Sequence, residues 1–310
     1  MSSDIFSEIE RSYKKNFERL DDKKFHFAAR LFLWHGDEFA KNKLEQLKSE
    51  YIGKNSQEYE EKIGKILNEK HDGEHLLFKH EREKFFVKYP LLKKYNKILF
   101  RNLFCETIYG INLREIIDEK IRKEDFVKLR NDLLHDSAAI AALSTHAVNY
   151  FYTLDYYLDK EKIPFNPKLF LNISKNEKIF KDKSTSILKV YLLTHCIIGE
   201  TAFYARDIRR YGDVYEEMII ELEDIINENY GDISLDNKVE FLVCSILCEK
   251  NSYLKERILS DVVAAFDVKK KYFVENKNTK TKDAFRKGEH RNVLALMAFY
   301  FERVKYTIDK

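Results

Sequence analysis

Glycine and proline are scarce, with 9 and 3 among 310 residues. A many-stranded sandwich or barrel needs a tight turn roughly every ten residues, and the chain lacks the turn chemistry for one. Long apolar runs are missing too. The longest, Val293 to Phe301, falls far short of the roughly 20 residues that span a bilayer and suits a buried helix. Cys105, Cys196, Cys244 and Cys248 form no CxxC pair and sit among apolar neighbours, which predicts reduced core residues. No two glycines stand close enough for GxGxxG or a phosphate-binding loop, and HExxH does not occur, so no cofactor is implied. The opening MSSDIFSEIERSYKKN lacks the basic start and apolar stretch of a secretory signal. The expected location is cytoplasmic, with no membrane partner.

What is present is helical. Hydrophobic residues make up 44% and charged residues 35%, enough for a sizeable core under a well-solvated surface. Apolar positions recur every three or four residues from 4 to 50 (Ile5, Ile9, Phe17, Leu20, Phe27, Leu31) and predict helix there. Residues 42–70 read as an exposed helical pair turning at Gly53, and helices are expected over 75–87 and 91–108, the latter ended by Gly110. Residues 112–158 form the most hydrophobic long stretch, and its alanines at 138–142 predict a central helix that neighbours approach closely. Pro164 and Pro167 break the pattern, with short strands expected near 169–173. Further helices are expected from about 185 to 211, around Val214 to Ile225, and over 237–249, 254–273 and 291–308. The fold class is therefore all-α. A helical bundle over 1–163 would precede a second helical domain over 164–310, for which a stack of helix pairs is an alternative.

The net charge is only +3, but it is unevenly placed. Lys269 to Arg291 holds nine basic residues against Glu275, Asp283 and Glu289. Lys269, Lys270, Lys271, Arg286, Lys287 and Arg291 are candidates to follow a nucleic-acid backbone, with Tyr272, Phe273 and Phe285 as stacking faces. A solvated loop is the competing reading.

One short motif stands out in KLRNDLLHD, residues 128 to 136. Arg130 is followed by Asn131 and, four residues after that, by His135. Arg30 and His35 share the bare spacing but carry Leu31 in place of asparagine. Cleaving RNA without a metal needs a group that moves the 2′-hydroxyl proton and a fixed cation on the phosphate. Histidine titrates in the right range and arginine keeps its charge. On a helix Asn131 and His135 share a face, while Arg130 lies about 140° round from His135.

The trio resembles the Arg-x4–6-His signature of the HEPN superfamily, in its form with asparagine after the arginine. The resemblance covers about ten residues. It implies a helical bundle that commonly dimerises, bringing two motifs into a composite cleft, and that often acts as an endoribonuclease in toxin or phage-defence systems. Arg130 would then hold the scissile phosphate, Asn131 orient, and His135 act as general acid or base, with RNA and a second copy as partners. Leu133 to Asp136 also resembles the His-Asp pair of HD-domain metal-dependent phosphohydrolases, with His75 or His80 and Asp155 or Asp159 completing a metal set. The glycine that usually follows that pair is absent.

Other clusters read as surface or core. His71 and His75 are four apart across Gly73, and Asp155 and Asp159 are four apart in DYYLD, neither with a completing ligand set. The stretch YLLTHCIIGETAFYARDIRR places His195, Glu200 and Tyr204 on one expected helix, as an internal polar network or a candidate pocket, with Gly199 permitting close packing. Against the RNA reading stands a catalytically silent helical scaffold whose C-terminal helices present a groove to a protein partner.

Overall fold

The computed structural model describes residues 2–69, 79–158, 165–180, 185–274 and 284–304. Among these the chain forms 17 α-helices, one 3-10 helix and a two-stranded ribbon, an all-α fold. The expected helix over 4–50 is three: α1 (Ser2–Lys15), α2 (Lys24–His35) and α3 (Glu38–Tyr51). A 3-10 turn at Phe17–Lys23, with Asp21 at φ 48°, makes the first break, and Gly36 in the left-handed region makes the second.

Next come α4 (Ser56–Asn68), α5 (Lys79–Lys88) and α6 (Leu92–Tyr109). Asn55 caps α4 by accepting from the Glu58 amide, and Gly110 ends α6 at φ 66°. The apolar stretch over 112–158 divides into α7 (Arg114–Lys120), α8 (Lys123–Leu134), α9 (Ser137–Leu143) and α10 (Thr145–Tyr157). Residues 169–173, expected as short strands, lie in α11 (Lys168–Ser174), because Phe170, Leu171 and Ile173 bury at helical spacing. Helix α12 (Ser186–Glu200) stops well short of 211, since Ala202, Phe203 and Tyr204 all adopt positive φ.

The last elements are α13 (Gly212–Glu228), α14 (Leu235–Leu247), α15 (Lys255–Ala264), the ribbon β1 (Phe266–Asp267) with β2 (Tyr272–Phe273), α16 (Ala284–Lys287) and α17 (Glu289–Phe299). The ribbon replaces the end of the helix expected to reach 273. Asp267 accepts from the amides of Lys269 and Lys270, and Lys271 takes φ 62°, which turns the chain back on itself.

Two compact units share these elements. Unit 1 comprises Met1–Leu47, Tyr204–Ile208 and Ile219–Lys310, and unit 2 comprises Lys48–Phe203 and Arg209–Met218. They differ from the consecutive division 1–163 and 164–310. The helices after Pro164 and Pro167 pack back on α10, with Phe151 and Phe170 edge to face at 5.3 Å. Within unit 2, α10 packs against both α6 and α12 and is buried from Ala147 to Leu154, so the central helix is α10, whereas the alanines at 138–142 lie in the short α9 before it.

Unit 1 is built round an aromatic cluster. Tyr13 stacks on Phe285 at 4.3 Å and donates to its carbonyl at 3.1 Å, with Phe27 stacked at 5.4 Å. The buried Asn292 of α17 holds the ribbon in place. It accepts from the Phe273 amide at 2.8 Å and donates to the carbonyls of Phe273 and Gly288. Among the described residues no helix is long and apolar enough to cross a membrane.

Candidate functional site

Helix α8 carries the motif and directs its residues to different sides. Glu124 and Asp125 in the first turn favour the positive end of the helix dipole, and the helix ends at Leu134, with His135 as its C-terminal cap. Asp136 then starts α9 by accepting from the Ala139 amide at 2.9 Å. Its second oxygen accepts from Lys88 Nζ at 2.7 Å and from the Tyr89 hydroxyl at 2.9 Å, which pins the α8–α9 junction to the end of α5. Burial alone would raise the Asp136 carboxyl, but the hydrogen bonds from Lys88, the Ala139 amide and Tyr89 outweigh it and hold it below its ordinary value.

Beside this junction lies a cleft of about 780 Å³. One wall is a single stripe of α8 in which Asp125, Lys128, Leu129 and Asp132 recur at three- and four-residue intervals, with His135 beyond its end. The other is the α5–α6 turn, where Tyr89, Leu91 and Tyr95 supply apolar surface. His135 is exposed at the cleft, as are Lys128 and Asp132.

The motif trio is not gathered there. Arg130 points to the opposite side of α8, is 4% exposed and acts electrostatically on Tyr150 of the central helix. Asn131 is exposed outside the lining of the cleft. The separation follows from the helix: five residues turn through about 500°, which leaves Arg130 and His135 on opposed faces.

In unit 1 the described part of the basic stretch is largely paired. Tyr272, Phe273 and Phe285 are buried in the aromatic core, so they offer no stacking face. Lys271 pairs with Glu8 at 3.0 Å, Arg286 with Asp22 at 2.7 Å, Lys270 with Asp267 at 3.5 Å, and the buried Arg291 with Asp236. Lys269 and Lys287 remain exposed. Apart from Asp267, the acids that supply the pairing are distant in sequence, which no local charge count reveals.

The candidate pocket of α12 is divided likewise. His195 Nδ1 lies 2.8 Å from Asn149 Oδ1, while Glu200 accepts from the Tyr215 hydroxyl, itself 2.7 Å from that of Tyr152. Arg210 binds Asp155 at 2.6 Å and lies 3.9 Å from Glu200. Tyr204 belongs to unit 1, edge-on to Trp34 at 6.0 Å, because the helix ends before it. None of the four cysteines forms a disulfide; Cys105, Cys196 and Cys244 are buried and Cys248 is partly buried. Burial pushes the Cys105 thiol up to about 12, far from a nucleophile's range.

Of the residues named for an HD-like metal set, His75, Asp159 and the side chain of His80 lie outside the described residues, as does His71 of the separate histidine pair, and Asp155 is held by Arg210. Among the described residues no three His, Cys, Asp or Glu side chains are placed to share a metal.

A family model matches residues 11–307 in one stretch, running across both units. The chain belongs to the DUF3541 family. That family is described as a domain of unknown function, and no curated protein or solved structure matches the chain. For this DUF3541 protein the cleft beside α8 is the feature on which a functional reading rests. Its lining residues Lys88, Tyr89, Lys128 and Asp132 lay outside the sequence reading. The signal was the i, i+3, i+4, i+7 recurrence from Asp125 to Asp132, which marks one helical face.

Proposed function

We propose that the protein is a non-catalytic helical scaffold whose cleft beside α8 receives a segment of a partner protein. The observation that carries this is the separation of Arg130 from His135: the cation that would hold a phosphate is buried on one side of α8, and the imidazole is exposed on the other. The cleft has tyrosine and leucine surface on one wall and three acids against two lysines along its lining, Asp136 being matched by Lys88 and Asp125 by Arg122, which leaves Asp132 to meet a partner. A partner segment with apolar side chains and at least one basic residue complements that lining. A photo-crosslinking residue placed at Asp132 should trap one partner in cells, and Leu129→Asp should abolish the adduct. An adduct unchanged by Leu129→Asp would overturn this reading.

A second reading is HEPN-like, metal-independent RNA cleavage by paired copies. It is favoured by Asn131 and His135, which are both exposed about one turn apart on α8. The discriminating assay incubates wild type, Arg130→Ala and His135→Ala with mixed RNA in excess EDTA, each fold checked by circular dichroism. Cleavage by wild type that His135→Ala abolishes would replace the scaffold reading with this one.

A further inference from the structure

The walls of the cleft beside α8 restrict the conformation of whatever enters it, because they offer almost no backbone partner. On α8 the amides and carbonyls bond within the helix. At the α5–α6 turn the Tyr89 amide donates to the Phe85 carbonyl at 2.8 Å and the Leu92 amide to the Tyr89 carbonyl at 3.1 Å, while Pro90 has no N–H. Among the described residues the only strands are those of the ribbon in unit 1, so the cleft has no strand edge to extend. An extended segment laid there would turn peptide groups away from water toward walls that cannot pair them, which is costly. A helix satisfies its own backbone and presents side chains alone.

The remaining way to hold an extended segment is to stack prolines on open aromatic faces. Tyr89 and Tyr95 are only 6% and 5% exposed. The Tyr95 ring packs edge-on to Phe126 at 4.6 Å, and the Tyr89 hydroxyl is held by Asp136. The apolar surface left to solvent is aliphatic instead. Leu91, in the lining, is 41% exposed, and Val87, one residue before the lining Lys88, is 74% exposed.

Charge sets the register. Asp125 is held by Arg122 and Asp136 by Lys88. Lys128 and Asp132 are both exposed in the lining, four residues and therefore one turn apart on a single face of α8. A facing helix matches them with an acid and a base at the same spacing. The lining of α8 runs from Asp125 to His135, about 15 Å at 1.5 Å per residue, which is the length of about ten helical residues.

We propose that the segment received by the cleft is an amphipathic helix of about three turns, with aliphatic side chains against Leu91 and Leu129 and an acid and a base four residues apart against Lys128 and Asp132. This rests on the reading of the cleft as a receptor for a protein segment. A helix so short is marginal in water, so a free peptide of this kind gains helicity as it binds.

The probe is a phage-displayed library of random peptides about 15 residues long, enough to form the helix on binding. It is selected on wild type and counter-selected on Leu129→Asp, each fold checked by circular dichroism. Enriched peptides should carry aliphatic residues at i, i+3 or i+4, and i+7. A synthetic copy should gain helical signal on binding and bind at least about tenfold more weakly with proline at its centre. Changing its base to an acid should weaken binding to wild type about tenfold, and Asp132→Lys, an exposed change, should recover it. Enriched peptides that are proline-rich or alternate with a period of two, or binding indifferent to the central proline, overturn the helix while the cleft reading stands. A base-to-acid loss that Asp132→Lys does not recover overturns the charge register. No enrichment on wild type over Leu129→Asp overturns both the inference and the cleft reading.

Discussion

Replacing Gly199 by alanine sets two effects of opposite sign against each other. Alanine in a helix interior is favoured over glycine by about 1 kcal/mol. At this position of α12, however, a Cβ would fall 2.5 Å from both Cδ2 and Cγ of Tyr152 and 2.8 Å from its Cβ. Carbon atoms in contact ordinarily lie about 3.5–4.0 Å apart, so the overlap is about 1 Å and involves three atoms. Tyr152 cannot swing away freely, because its ring is buried and its hydroxyl is 2.7 Å from that of Tyr215. Overpacking of this kind costs about 1–3 kcal/mol or more, and it outweighs the helix gain. Gly199→Ala should therefore destabilise the protein by about 1–2 kcal/mol. Gly64 in α4 is the control, since a Cβ there meets nothing within 4 Å, and Gly64→Ala should stabilise by up to about 1 kcal/mol. Tyr152→Ala removes Cγ and Cδ2, so Gly199→Ala should cost less in that background than in wild type, a non-additive result expected of residues in contact. Melting followed by circular dichroism reads all these proteins. If Gly199→Ala melts at or above wild type while Gly64→Ala behaves as expected, the close approach of α12 to Tyr152 is wrong.

Three more outcomes are expected. Asp136→Ala removes the α9 cap and both ties to the end of α5 and should cost about 1–2 kcal/mol at neutral pH. Because the folded Asp136 carboxyl is held below its ordinary value, its contribution is complete above the ordinary carboxylate range and is lost as pH falls through the folded value, so wild type and Asp136→Asn should converge in acid melting series. Glu240 has the opposite sign: burial raises its carboxyl to about 7, partly offset by Arg30. Between about 4.5 and 7 the folded state holds a proton that the unfolded state has lost, so stability should fall as pH rises through that window. Glu240→Gln should flatten that fall, and an unchanged pH profile would count against a buried neutral Glu240. Asn292→Ala should cost about 2–4 kcal/mol, because it strands the buried Phe273 amide and carbonyl, and hydrogen exchange at the Phe273 amide should accelerate. Slow exchange at that amide in the variant would show that α17 does not hold the ribbon through this side chain.

Period and punctuation made much of the fold legible. Val214, Met218, Leu222 and Ile225 recur at the spacing of a buried stripe and are buried in α13. Gly110 ends α6 because the position needs a positive φ, which glycine adopts without steric cost. The breaks that failed to show in sequence are those where non-glycine residues take such angles: Asp21, Ser144 and the run from Ala202 to Tyr204. Nothing in their side chains announces a left-handed turn, so the helices they divide read as continuous.

The sequence by itself determined the all-α class, the buried cysteines and the angular separation of Arg130 from His135, since these follow from composition, apolar neighbours and the pitch of one helix. Only the tertiary structure decided which charges meet. Arg286 finds Asp22, Arg291 finds Asp236, and Asp136 finds Lys88, each across a long stretch of chain, whereas Arg82 finds a carbonyl and a hydroxyl. Electrostatic partnership depends on distance in space and on burial, and a linear sequence fixes neither until the helices have packed.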